Sequence, residues 1–198
     1  MCRVQAPVVG EYNVANLLAV VNASAAQAQE FDLPEGYPPL LGGASGTLGQ
    51  KAVAWEFFDF SIGAFDASAW VDQDWNSKEV SFHLMGYAPG SPDDMRFRLW
   101  VSGDFGKTFR TGAAEGKVEV SILRGRDTDG PQLSSEGQRV QVVVDSIGPA
   151  LPNSYLRHVT GHIAARLCPK GWLFTSCQDL TLEFDTDVQM GSVVEVSE

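Results

Sequence analysis

Cysteine is scarce in this chain. Cys2, Cys168 and Cys177 are the whole complement in 198 residues. An odd and sparse set does not make the framework of a small secreted disulfide domain, which carries an even number at high density. The expectation is a reducing compartment and free thiols. Positive charge is also short: 14 Lys and Arg stand against 25 Asp and Glu, for a formal charge of −11. A chain this acidic is poorly suited to grip nucleic acid or an anionic membrane by itself, although a local basic patch remains compatible with it. No apolar run approaches the roughly 18–20 residues of a membrane-spanning helix, so no membrane partner is expected. The opening MCRVQAPVVGEY sets Arg3 and Glu11 around a short apolar stretch, unlike a secretory leader. The Asn22-Ala23-Ser24 sequon is then expected to stay unused.

What is present suits a folded domain. The length of 198 residues against roughly 150 per domain favours one domain with an appended arm. Apolar residues at 44% with only 20% charged residues can build a real core. The domain organisation expected is an arm and connector over 1–50, followed by a β domain over 51–198. Within the arm, Asn13 can cap a short helix in which Val14, Leu17, Leu18 and Val21 recur at helical spacing. The stretch DLPEGYPPLLGGASGTLGQ (32–50) then carries Pro34, Pro38, Pro39 and five glycines. Such a composition reads as an extended connector without a long regular element.

From Lys51 the apolar period changes to two. Met95, Phe97, Leu99 and Val101 alternate with Asp94, Arg96 and Arg98; Val118, Val120 and Ile122 with Lys117, Glu119 and Ser121. Val140, Val142 and Val144 do the same, as do Leu180, Leu182, Phe184 and Val188 with Glu183, Asp185 and Asp187. Alternation of this kind marks strands with one buried face. AVAWEFFDFSI and EVSFHLMGY, more evenly apolar, read as central strands. Pro89-Gly90-Ser91-Pro92, Gly103-Asp104, Asp129-Gly130-Pro131, Gly148-Pro149 and Pro169-Lys170-Gly171 read as turns, and 102–116 and 125–138 as loop-sized insertions. Six to eight strands with little helix make an all-β jelly-roll β-sandwich the expected fold class.

Few constellations carry chemistry. Gly106-Lys107-Thr108 ends like a phosphate loop, but Val101 stands where the first glycine belongs and no helix pattern follows. His158 and His162 with Cys168 and Cys177 could hold zinc only if folding brought them together. Gly161, Val159 and Thr160 speak against a helix there, and a polar loop with buried thiols is the plainer reading. No cofactor or metal is therefore expected. His83, between Phe82 and Leu84, reads as a hydrogen-bonded strand residue. Asp127-Thr128-Asp129-Gly130 lacks the spaced oxygen ligands of a calcium loop and reads as a turn.

Glu183, Asp185 and Asp187 project from one face of a strand, neighbours about 6.6 Å apart along the chain. Paired carboxylates at such a spacing can act as nucleophile and general acid in glycoside hydrolysis. An edge strand bearing protective charges gives the same pattern. EFDTD resembles the acidic strand of jelly-roll glucanases, with Asp187 where their motif ends in Glu. On this alternative reading Glu183 and Asp185 would be catalytic, and Trp70, Trp75 and Trp100 would be sugar platforms. Arg96, Arg98, Arg110, Arg124, Arg126 and Arg139 concentrate in the middle of the chain, either as a face for RNA or protein or as solvated strand charges.

A broader resemblance rests on the layout of arm, Pro/Gly connector and single β domain. It is carried by DASAWVDQDWNSKEVSFHLMGY, MRFRLWVSG and GWLFTSCQDLTLEFDTDV. In these the chain resembles the small coat proteins of plant picorna-like viruses, the comovirus and fabavirus group of the Secoviridae. Val4-Gln5-Ala6 is similar to the Gln/small-residue processing sites of their polyproteins. The resemblance implies a structural subunit without a catalytic site, localised in the virion and in host cytoplasm during assembly. Its implied partners are a large coat protein, further copies of itself, genomic RNA and a viral movement protein.

Overall fold

A computed structural model describes residues 35–60, 67–92, 96–125, 131–152, 154–169, 176–191, 194 and 196–197. The helix expected after Asn13 lies outside them. Among the described residues the chain is all-β, and none forms a helix long and apolar enough to cross a membrane. The strands are β1 (Leu40–Leu48), β2 (Lys51–Phe58), β3 (Ala69–Gln73), β4 (Val80–Gly86), β5 (Arg98–Asp104), β6 (Phe109–Arg110) and β7 (Gly112–Ala113). They continue with β8 (Val118–Leu123), β9 (Pro131–Ser134), β10 (Val140–Ala150), β11 (Leu156–Pro169), β12 (Gln178–Met190) and β13 (Val196–Ser197).

Two layers form a sandwich, as the alternating patterns require. One runs β2-β1-β12-β11-β10-β7 and the other β3-β4-β5-β8-β9. Sequence neighbours joined as antiparallel hairpins supply most contacts, and β12 returns beside β1. Short seams join the layers. Gln189 and Met190 of β12 run parallel to Trp70 and Val71 of β3, and Cys168 and Pro169 of β11 pair with Ser134 and Leu133 of β9. A separate parallel pair links β13 to β6.

The core lies between the layers. Phe82 of β4 meets Phe184 of β12 with ring centroids 5.6 Å apart, and Phe105 and Phe109 close the cluster around Phe82. Val120, Ile122, Val142, Val144, Ile163, Leu180, Leu182 and Val188 fill it from both sides. Each such side chain contributes about 1.5–3 kcal/mol on burial, before the entropy of ordering is subtracted.

Several expectations need correction. Most of the Pro/Gly connector is strand: β1 lies between β2 and β12, in register from Gly42↔Thr186 to Leu48↔Leu180. Its glycines permit close approach. A Cβ at Gly46 would lie 2.0 Å from the Thr181 carbonyl oxygen, and one at Gly42 only 2.3 Å from that of Asp185. The polar loop expected around His158 and His162 is part of β11, a 14-residue strand. Its inward positions include small Gly161 and Ala165 beside Val159, Ile163 and Leu167, which weakens the apolar signal. Gly161 has to be small, because a Cβ there would meet the Phe184 ring at 2.4 Å. Gly148-Pro149 is likewise no turn but the irregular end of β10, where register shifts between Ile147 and Ala150. Gly103-Asp104 ends β5 in register with β4, and the stretches 102–116 and 125–138 hold β6, β7 and β9.

The free-thiol expectation fails for two of the three cysteines. Cys168 and Cys177 form a disulfide with Cα atoms 4.2 Å apart. They take the rung after Leu167↔Gln178, so the β11–β12 register sets them face to face.

Candidate functional site on the outer sheet faces

β12 alternates strictly, and with Leu180, Leu182, Phe184 and Val188 in the core, Asp179, Glu183, Asp185 and Asp187 face outward. β11 sets His158 opposite Asp187 and His162 opposite Glu183. His158 bridges two carboxylates: Nδ1 is 3.1 Å from Asp187 Oδ1 and Nε2 is 3.3 Å from Asp185 Oδ1. His162 Nδ1 lies 2.9 Å from Asp145 Oδ2.

Asp145 faces outward by the alternation that buries Val142 and Val144. Register slips between Val144 and Ser146, so Ser146 reaches the outer side as well. A bulge re-aims side chains in this manner. Ser146 Oγ then lies 2.7 Å from Thr160 Oγ1. Asp145 was absent from the expected site; its place on the polar side of the Val140–Val144 alternation was the available signal.

Asp145, Thr160, His162, Glu183 and Asp185 line an open groove with Gly43 and Ser45 of β1. Arg166 donates to Asp179 at 3.1 Å farther along the same face. His158 is engaged at both ring nitrogens, whereas His162, held by Asp145 at Nδ1, can turn Nε2 to an outside donor or acceptor. Of the two carboxylates expected to be catalytic on the glycosidase reading, Asp185 is engaged by His158. Glu183 is exposed, cross-strand from His162 and Ser45.

The indoles lie on the opposite side of the sandwich. Trp70 of β3, His83 of β4 and Trp100 of β5 group across three adjacent strands. Trp70 stacks on His83 at 4.7 Å, and His83 lies 5.7 Å from Trp100. One face of Trp70 is thus covered by the imidazole. Burial pushes His83 below its ordinary imidazole pKa, against the pull of the Asp72 carboxylate 3.5 Å away. Its Nδ1 is buried with no hydrogen-bond partner among the described residues.

Since Phe82 and Phe184 meet in the core, their neighbours His83 and Glu183 point out of opposite faces. The two halves of the sugar-cleaving constellation, acids and indoles, therefore do not share a site.

Trp75 is separate again, 79% exposed on the β3–β4 turn. Lys78 Nζ lies 4.9 Å from its ring centroid. Asp74 Oδ1 accepts from the N–H groups of Ser77 and Asn76 at 2.6 and 2.9 Å, which fixes the turn. The Ser77 N–H is the main reason the Asp74 carboxyl sits below its ordinary pKa.

The remaining candidates disperse. Arg98 is buried and donates to the Gly125 carbonyl, Arg110 pairs with Glu115, and Arg139 lies by the β9–β10 turn on the other layer. They make no single basic face. Gly106 has φ +77 in the turn after β5, and β6 rather than a helix follows it. The zinc reading loses its thiolates to the disulfide, and among the described residues no group of three or more His, Cys, Asp or Glu could hold a metal. Asp127–Gly130 and Arg126 lie outside the described residues.

No protein-family model, curated protein or solved structure matches the chain.

Proposed function

We propose that this chain is a structural coat subunit: the small partner of a large coat protein in an icosahedral shell around RNA, working through its flanks. The observation that carries this reading is where its large apolar side chains meet solvent. Leu40, Trp75 and Tyr155 are 59%, 79% and 55% exposed, and each belongs to the end of the sandwich toward which β12 runs. Leu40 opens β1, antiparallel to β12; the Tyr155 carbonyl accepts from the Met190 N–H; Trp75 caps the hairpin leaving β3, which runs parallel to β12. Aromatic anchors on a rigid support suit protein–protein contact, where Trp and Tyr dominate binding energy. The acidic surface is compatible with this role if the partner supplies the main RNA contacts.

The test is co-expression with the candidate large coat protein, followed by sedimentation and electron microscopy. Shells are expected from the native pair. Trp75→Ala with Tyr155→Ala should reduce them at least tenfold while leaving the melting temperature within about 2 °C, as for other surface changes. A monodisperse monomer in the native mixture would refute the proposal. Hydrolysis of a glycan panel, lost in Glu183→Gln, would establish the glycosidase alternative instead.

A further inference from the structure

The joint between the layers is uneven. At the β12–β3 seam, two rungs are reinforced: the Gly191 N–H donates to the Val71 carbonyl at 2.8 Å, and the Ala67 N–H donates to Gln189 Oε1 at 3.0 Å. At the β11–β9 seam the pairing is only Cys168↔Ser134 and Pro169↔Leu133. Proline has no N–H to give to that ladder. β9 is four residues long, and its pairing with β8 shifts register between Ile122 and Leu123.

The disulfide sits on this weaker joint. Cys168 is at once the residue paired with Ser134 and the one bonded to Cys177. The cystine adds a covalent rung to β11–β12 at the point where β9 departs. Both cysteines are half-buried, within reach of a small thiol.

We propose that Cys168–Cys177 is a thiol-operated latch on the β9–β11 seam. An external dithiol attacks one sulfur as its thiolate and breaks the S–S bond; its second thiol then resolves the mixed disulfide. The two Sγ atoms leave as thiols carrying the protons, and the reductant departs as its own disulfide, so two electrons pass to the cystine. Without the covalent rung, Cys168 and Pro169 are freer to leave Ser134 and Leu133. β9 then opens locally while β4 and β5 stay closed. Leu133, Ser134 and Ser135 are buried, so what opens is the β11 edge of β9, while its β8 edge, tied by the Ser135 N–H to the Val120 carbonyl at 2.9 Å, holds.

The experiment uses the full chain purified without reductant, then treated with excess dithiothreitol at neutral pH. Alkylation followed by mass measurement should find Cys168 and Cys177 blocked before treatment and modified after it. Amide exchange at Leu133 and Ser134 should accelerate about tenfold on reduction, with the Ser135 amide, bonded to the Val120 carbonyl, and the β4 and β5 amides unchanged within about twofold. Reoxidation should restore the slow rates. Cys168→Ser with Cys177→Ser should exchange like the reduced protein and ignore dithiothreitol; if that variant does not fold, the native chain with and without reductant decides. Free Cys168 and Cys177 in the unreduced protein, unchanged β9 exchange, or equal acceleration in β4 and β5 would each overturn the latch.

Discussion

Alanine at Gly46 is expected to pry β1 from β12. The added Cβ would sit 2.0 Å from the Thr181 carbonyl oxygen and 2.9 Å from its carbon. An ordinary carbon–oxygen contact is more than an ångström longer, and both partners are backbone, so no side-chain rotation relieves the clash. The strands must separate in the middle of a seven-rung register. Two or three ladder hydrogen bonds at about 1 kcal/mol each, with partial exposure of Leu48, amount to roughly 3–4 kcal/mol. Alanine's advantage over glycine in a strand returns about 0.5–1 kcal/mol. The net is ~3 kcal/mol, a drop in melting temperature of ~6–12 °C for a domain of this size. Differential scanning calorimetry reads it, with Ser45→Ala as the control, because Ser45 is exposed on the same strand. Amide exchange should also show lost protection in β1. A Gly46→Ala protein that melts within about 2 °C of the native one, with β1 still protected, would refute the packing argument.

Other expectations follow from the same geometry. Burial depresses the folded-state pKa of His83, so the unfolded chain takes up that proton first. Its contribution to stability is complete above about pH 6.5 and declines as pH falls below it. Urea midpoints at pH 7.5 and 5 should therefore diverge less in His83→Gln than in the native chain; an unchanged difference would remove His83 as the cause. Phe184→Ala empties the contact with Phe82 and should cost about 3–5 kcal/mol by equilibrium urea unfolding. Asp74→Ala removes the acceptor of the Ser77 and Asn76 N–H groups, and the anisotropy of Trp75 fluorescence should fall, measured in a chain whose other tryptophans are replaced by phenylalanine.

Much of the sandwich was legible where alternation is unbroken. Val118–Ile122 and Leu180–Phe184 pack inward as their period required, because a strand turns successive side chains to opposite faces. Two of the long strands escaped that logic, as did short β6, β7 and β9 inside stretches that read as loops. β1 hides in a run of glycines whose missing side chains are what allow it to fit, and β11 buries Gly161 and Ala165, which barely register as apolar. The candidate site was legible only as a row of carboxylates on β12. Its histidine partners were visible as residues but not as neighbours, and Asp145 meets His162 only through the pairing of β10 with β11.

Composition and period by themselves determined an all-β chain with an acidic surface and a core of Val, Leu, Ile and Phe, because those properties depend on local stereochemistry and on what water excludes. Pairing across long stretches of chain was decided only in three dimensions. Register placed Cys168 against Cys177, His158 between Asp185 and Asp187, and the indoles on the face opposite Glu183. A one-residue slip in any of these ladders would turn every side chain to the other face, and only the packed core selects among the registers that local preference leaves open.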